Sequence, residues 1–172
     1  MLLLMHNEDC FLTAKSCSAG VLTIGYGHTT TFGPPKVVSG MKISHSEAIF
    51  LLYKDTKKVY DGIYQDVQHL DWLQQAALVS FAYNIGIEAF NKSAVAIRLR
   101  AWKDPPDNLW QYECLEMHLL RWDKIGKTVA PGLERRRGGE AWILSWRLHL
   151  KETVAKNVPY LMRVLFIRHT VV

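Results

Sequence analysis

Three kinds of feature are scarce or missing in this sequence. Its three cysteines, Cys10, Cys17 and Cys114, are odd in number and include no Cys-x-x-Cys pair, which argues against a disulfide framework and indicates a reducing compartment. The seven histidines and the cysteines do not cluster at metal-ligand spacing, so we expect no metal, and nothing in the sequence indicates a cofactor. The apolar residues 1–5 are too few for a secretory signal or a membrane span, so we expect no stable membrane insertion.

The composition indicates one globular domain with a real core. The chain has 172 residues, of which 49% are hydrophobic and 22% charged. Six Trp, seven Tyr and six Phe can bury much apolar surface, which excludes a largely disordered chain. The net charge of +5 favours polyanionic partners such as nucleic acid, an anionic membrane or a bacterial wall, or it serves solubility alone. No nucleic-acid-binding motif accompanies the charge, so we expect no nucleic acid partner.

Local signals predict a mostly helical chain with a few strands. Residues 2–13 predict a short helix, and residues 17–28 predict a pair of strands punctuated by glycine. Ser44 and Glu47 form a capping box at the start of a long helix, which Gly62 is expected to soften. Asp71 and Gln74 can cap the next helix, which should end near Gly86 and be buried on nearly all sides.

The C-terminal half predicts further helices. One begins at Ser93 and ends before the prolines at 105 and 106; another covers residues 109–122, with Gly126 as its stop; a third covers about residues 133–150. The remaining tail, residues 151–172, is apolar and basic. Three interpretations of it stay open: a packed strand, an interaction element or a reading-frame accident.

Two dense blocks of sequence carry the most information about function. Glu8, Cys17 and Thr23 stand at fixed spacing, and Thr23 opens the run Thr-Ile-Gly-Tyr-Gly-His. A second block, residues 75–86, ends in Phe-Ala-Tyr-Asn-Ile-Gly. Together these blocks resemble the phage-type lysozymes, the lambdoid endolysins of glycoside hydrolase family 24, over roughly residues 5–145. The resemblance implies a muramidase, which hydrolyses the β-1,4 bond between N-acetylmuramic acid and N-acetylglucosamine in bacterial peptidoglycan.

The resemblance also implies the fold and its division. We expect a mostly α-helical α+β fold with two lobes in a single domain, residues 1–150. The small β-hairpin lobe would cover about residues 10–43, the linking helix residues 44–69, and the helical lobe residues 70–150 together with the N-terminal helix. Residues 151–172 would form an atypical tail, and we expect a monomer.

Each member of the motif has a predicted chemical role. Glu8 matches the family acid, which must protonate the leaving oxygen; partial burial among apolar neighbours would keep its proton on. Local sequence alone favours a solvated carboxylate there, and the spacing to the other two residues favours catalysis. Cys17 stands where the family has Asp or Cys, and it would act as a thiolate favoured by Lys15, as a neutral polar group, or as an inert small residue. Thr23 would orient a water molecule through its hydroxyl.

The resemblance also nominates binding and structural residues. The predicted sugar contacts are Tyr83, Asn84, Ser93 and Asn108. His28 is expected to lock the glycine-rich turn to the long helix through Asp55.

Two departures from the family pattern support an alternative. Asp9 follows the acid where the family usually has Gly, and Lys15 stands where it usually has Tyr. A catalytically degenerate prophage protein that binds the wall is therefore the alternative to an active endolysin. We expect the protein to be made in the host cytoplasm and to act on the periplasmic wall after release through a separate pathway.

Overall fold

The structure is a computed structural model that describes residues 1–16, 20–102 and 109–146. Cys17, Asn108 and the tail 151–172 lie outside the described residues, so the predictions made for them stay predictions.

The chain begins with a short helix that leads directly into a small sheet. Helix α1 covers Leu2–Asn7, and the strands β1 (Phe11–Ser16), β2 (Leu22–Gly25) and β3 (His28–Thr29) form an antiparallel sheet in that order. The prediction of a helix over residues 2–13 is therefore wrong beyond residue 7. Pairing with β2 satisfies part of the backbone of β1 in an extended form. On the other side, Ala14 N–H donates to Met41 O, and Leu12 O accepts from Ile43 N–H.

One long helix connects the sheet to the rest of the molecule. Helix α2 covers His45–Val67, and Ser44 and Glu47 form the predicted capping box, with each side chain bonded to the backbone N–H of the other residue. Gly62 in this helix is a point of close packing: a Cβ there would lie 2.9 Å from Ile87 Cδ1. This close packing explains why position 62 is a glycine without the predicted softening of the helix.

The second lobe consists of helices packed around α3. The elements are α3 (Trp72–Ile85), α4 (Ile87–Lys92), α5 (Ala94–Ala101), α6 (Leu109–Leu120), the hairpin strands β4 (Lys124–Ile125) and β5 (Thr128–Val129), and α7, which is described over residues 131–146. Asp71 and Gln74 form the second predicted capping box, and Gly86 ends α3 as expected. Most of α3 is buried, including Leu78, Phe81 and Ala82.

The structure corrects the prediction for residues 109–126. Helix α6 ends at Leu120, earlier than predicted, and Gly126 does not stop it. Gly126 lies instead in the turn between β4 and β5 with a φ of 63°, a left-handed conformation that favours glycine. These two-residue strands are too short to show an alternating pattern in the sequence.

The architecture agrees with the predicted class, a mostly helical α+β fold with a small antiparallel sheet. One large core joins α2 to α3 and α5, and a second, smaller cluster of Ile24, Val37 and Leu51 lies between the sheet and α2. Within the described part of the chain, every helix is too short or too polar to cross a membrane.

Candidate active site

Glu8 lies where the chain leaves α1 and becomes extended. It is the C-cap of that helix, with φ −114° and ψ 138°, and its backbone N–H donates to Leu4 O at 2.9 Å. Leu4 is buried in the main core and so anchors the short helix. The Glu8 side chain is 21% exposed, which leaves its carboxylate accessible while most of it is shielded from water.

Arg136, on α7, holds the Glu8 carboxylate from the protein side. Its Nη1 donates to Glu8 Oε1, its Nη2 donates to Ser80 O at 2.9 Å, and its Nε donates to Glu140 Oε1 at 3.0 Å. Three partners thus fix the plane of the guanidinium group. An arginine can only donate, so Glu8 Oε1 must be an acceptor. When Glu8 is protonated, its proton therefore resides on Oε2.

A buried cluster of charges surrounds this contact. Glu140 is fully buried and is shared by Arg136 and Arg137, and Ser80 Oγ donates to it at 2.6 Å. With Glu8, the cluster contains two carboxylates and two guanidinium groups, so its formal charges balance. Buried ions are tolerated when they are paired in this way. Burial lowers the pKa of Arg137, and the charge of Glu140 opposes that shift.

The glycine-rich turn lies beside the other carboxylate oxygen. Gly27 has a φ of 90°, and a Cβ there would lie 3.5 Å from Tyr83 Cε1 and 3.6 Å from Glu8 Oε2. The Tyr83 hydroxyl donates to Tyr26 O at 2.8 Å and so fixes the turn against α3. Burial, followed by the charges of Asp55 and Glu8, raises the pKa of Tyr83, which keeps this hydroxyl a donor.

His28 joins the same turn to α2. Its Nδ1 lies 2.7 Å from Asp55 Oδ2, so the contact predicted from the family pattern is present, and its Nε2 lies 3.1 Å from Pro35 O. Both side chains are buried. Burial alone would lower the pKa of His28, but the hydrogen bonds to Asp55 and Pro35 and the charge of Asp55 outweigh it and raise the pKa above its ordinary value.

Thr23 lies on β2, opposite Lys15 of β1. The register of β1 and β2 places Gly25 opposite Phe11, three residues beyond Glu8, and Thr23 shares a strand face with Gly25. Its hydroxyl donates to Val21 O at 3.3 Å. Within residues 1–16, 20–102 and 109–146, no hydrogen bond joins Thr23 to Glu8, and its role with a bridging water stays a prediction.

The predicted sugar contacts differ in their surroundings. Asn84 is exposed, accepts a hydrogen bond from Arg137 Nη2, and lines a cavity of about 330 Å³ together with Phe32 and Tyr83. Tyr83 is 6% exposed and stacks on Phe32 with ring centroids 5.1 Å apart. Ser93 is buried and caps α5 by accepting from Ala96 N at 3.2 Å, so this geometry gives it a structural role and does not favour a sugar contact.

Arg136 and Glu140 are the site residues whose function the sequence did not reveal. Both lie in the segment 132–140, which carries three adjacent arginines followed by a glutamate. The contact between Arg136 and Glu8 spans 128 residues, and no local pattern encodes such a distance. The available signal was a run of three arginines followed at helical spacing by Glu140, because charged residues that become buried in a helix are usually paired.

The described residues contain no group of His, Cys, Asp or Glu that could hold a metal ion. The site brings together a carboxylate, a fixed guanidinium group and a left-handed glycine turn, beside a cavity lined by Phe32, Tyr83 and Asn84. This set suits acid chemistry on a neutral polar substrate.

Comparisons with known proteins find similar chains among the phage lysozymes. A family model described as phage lysozyme matches residues 5–140. The endolysin of Salmonella phage P22 is 38% identical over 143 residues, which cover 83% of this chain and 92% of that protein. The SAR-endolysin of Escherichia phage Mu is 37% identical over 145 residues, which cover 84% of this chain and 77% of that protein. The solved muramidase domain of SpmX from Asticcacaulis excentricus superposes with a TM-score of 0.68 at 27% identity, covering 83% of this chain and 92% of that chain.

Proposed function

The chain belongs to the phage lysozyme family, and on this premise we propose that Glu8 is the general acid of a peptidoglycan muramidase. The protein is a glycoside hydrolase of the lysozyme type, an endolysin that hydrolyses the β-1,4 bond between N-acetylmuramic acid and N-acetylglucosamine. The alternative of a degenerate wall-binding protein is not favoured. The observation that carries the proposal for Glu8 is its partly exposed carboxylate, held by Arg136 on one oxygen and facing the Gly27 turn with the other.

The proposed reaction begins with proton transfer from Glu8. Oε2 gives its proton to the glycosidic oxygen, the bond from that oxygen to the sugar C1 breaks, and the leaving group departs as a hydroxyl. C1 then carries positive charge, which the ionised Glu8 stabilises. Arg136 keeps its hydrogen bond to Oε1 throughout. Oε2 is therefore the atom that gives the proton, and the carboxylate keeps one orientation when it becomes charged.

Water completes the proposed reaction. The oxygen of a water molecule held by Thr23 bonds to C1, and its proton passes to the Cys17 thiolate. Exchange with solvent then returns a proton to Glu8 and removes one from Cys17. If Cys17 instead stays a neutral thiol, the released proton goes to bulk water and Thr23 alone orients the nucleophile. The two versions differ in their dependence on pH and on thiol alkylation.

Two residues are proposed as the main substrate contacts. Asn84 and Tyr83 lie at the cavity next to the glycine-rich turn, which supports a sugar subsite there. Asn108 and Ser93 are weaker nominees carried over from the family pattern. We also propose that the protein is a monomer, that it is made in the host cytoplasm and that it reaches the wall through a separate release pathway.

The test is wall hydrolysis by Glu8→Gln beside the wild type. Glutamine keeps an oxygen for Arg136 and the volume of the side chain but cannot give a proton, so the fold should persist while activity falls by a factor of about 10³ or more. The readouts are turbidity clearing of permeabilised Gram-negative cells and release of reducing sugar from purified wall. Glu88→Gln, which removes an exposed carboxylate paired with Lys92, is the matched control and should remain fully active. A folded Glu8→Gln protein that clears cells at the wild-type rate would refute the assignment.

A further inference from the structure

The outer side of α2 carries aromatic side chains that the fold does not bury. Phe50 is 60% exposed and Tyr53 is 53% exposed, and their spacing of three residues makes them neighbours on one side of the helix. Lys54 Nζ donates to Pro34 O at 3.4 Å, which places the loop after Pro34 beside this side of α2, and that loop adds the exposed Val38. Single exposed apolar residues are ordinary, whereas a group of them on one surface indicates an interaction site.

Lysines are interleaved with these apolar groups. Lys54 Nζ lies 5.9 Å from the Phe50 ring centroid, and Lys36 lies in the bordering loop. Lys57 follows one helical turn after Tyr53, but its charge is paired with that of the exposed Asp61. Residues 10–61 contain six lysines and three acidic residues: Glu47, Asp55, which is buried with His28, and Asp61, which pairs with Lys57. Most of the net charge of +5 therefore belongs to this part of the chain.

The basic and aromatic side of α2 points away from the site. The opposite side of the helix carries Asp55, which holds His28, together with the buried Leu52 and Val59. A partner on the outer side therefore leaves Glu8 and the neighbouring cavity uncovered. Binding there and wall hydrolysis can occur at the same time.

We propose that this basic aromatic face, which consists of Lys36, Val38, Phe50, Tyr53 and Lys54, docks the protein peripherally on an anionic lipid bilayer. Wall peptides and nucleic acids offer negative charge but no apolar layer for the valine and phenylalanine side chains. The headgroup region of a bilayer offers both: phosphates for the lysines and an apolar boundary in which aromatic rings are stable. The enzyme would thus be held at the membrane surface with its cleft open toward the wall.

Co-sedimentation of the full chain with vesicles tests the proposal directly. Vesicles of phosphatidylcholine alone and vesicles with one third phosphatidylglycerol are compared at low and at high salt. We expect binding to the anionic vesicles, weakened but not abolished by salt, because the apolar contacts are not screened. Equal binding to both vesicle types, or no binding to either, would overturn the proposal.

Paired variants then test whether this face is responsible. Lys36→Gln/Lys54→Gln should weaken binding to anionic vesicles by roughly fivefold for each lysine removed. Phe50→Gln/Tyr53→Gln should weaken it by about tenfold or more and remove the salt-resistant part. The matched controls are Trp72→Gln, an exposed aromatic residue on the helical lobe, and Lys124→Gln/Lys127→Gln on the β4–β5 hairpin; both should bind like the wild type.

The outcomes of these variants are decisive in either direction. If the aromatic variant binds like the wild type while the lysine variant does not, the surface is only a polyanion site and the bilayer proposal is wrong. If the control variants lose as much binding as the face variants, the attraction is not local to α2 and the proposal is also wrong. All variants should keep wild-type activity on purified wall, which separates this test from that of Glu8.

Discussion

The pair between His28 and Asp55 should give the fold a stability that depends on pH, and Asp55→Asn should remove that dependence. Each ring nitrogen of His28 faces an acceptor, Asp55 Oδ2 at 2.7 Å and Pro35 O at 3.1 Å. A neutral imidazole has one N–H and can satisfy only one of them, whereas the imidazolium ion satisfies both. The folded protein therefore favours the charged ring, in agreement with its raised pKa.

The size and sign of the effect follow from this geometry. Removing one member of a buried ion pair costs about 3–5 kcal/mol, because the other charge is left without its partner. For a chain of this size, such a loss lowers Tm by roughly 6–20 °C. Because the pKa of His28 is raised on folding, the stabilisation is fully present below the unfolded value of about 6.5 and is lost as the pH rises through the folded value. The difference between wild type and Asp55→Asn should therefore be largest near pH 5.5 and smaller near pH 9.

Urea unfolding followed by tryptophan fluorescence at several pH values measures this difference. Asp61→Asn is the matched control, since Asp61 is an exposed carboxylate on the same helix whose contact with Lys57 should contribute at most about 0.5 kcal/mol. A loss below about 1 kcal/mol at pH 5.5 for Asp55→Asn would show that the pair does not stabilise the fold. A loss that is equal at pH 5.5 and pH 9 would show that His28 does not carry the proposed charge.

Three further predictions concern the site and the helices. Cys17→Ala should lose most activity, and Cys17→Asp should retain or raise it. Iodoacetamide should inactivate the wild type and Cys10→Ser alike. Full activity of Cys17→Ala would exclude a catalytic role for Cys17. Arg136→Lys should lower kcat by roughly 10–100-fold, because a single ammonium cannot span the three acceptors that fix the guanidinium group, and unchanged steady-state kinetics would contradict that positioning role. Gly138→Ala should stabilise α7 by about 1 kcal/mol, since nothing lies within 4 Å of the added Cβ. Gly62→Ala should gain no stability, because its Cβ meets a neighbouring side chain. Thermal melts that show equal gains for the two variants would contradict the close packing in α2.

The helix starts were predictable because their signals are local. The capping boxes of α2 and α3 each involve residues three positions apart, and the same residue types would cap a helix in almost any fold. The first strand was not predictable in this way. Phe11–Ser16 has no clear alternation, and it is extended because β2 and the 41–43 segment provide partners for its backbone. Its conformation is decided by the tertiary structure.

The site residues also divide into those that the sequence could predict and those that it could not. Glu8 and Thr23 could be nominated because a motif at fixed spacing carries them, and Asp55 because the family pattern pairs it with His28. The function of Arg136 could not be predicted, since it depends on α7 packing against α1 and α3 near the same carboxylate. Burial of Ser93 could not be predicted either, because a serine at a helix start caps the helix whether or not a cleft lies nearby.

The contact between Glu8 and Arg136 has a consequence for the order in which the protein is synthesised. The acid leaves the ribosome 128 residues before the guanidinium group that orients it. Until α7 has emerged, Glu8 has neither its partner nor the buried Glu140 that holds that partner in place. A stalled or prematurely terminated chain therefore contains the complete Glu8–Thr23 motif but not the assembled site, so translation of nearly the whole domain is a condition for lytic activity.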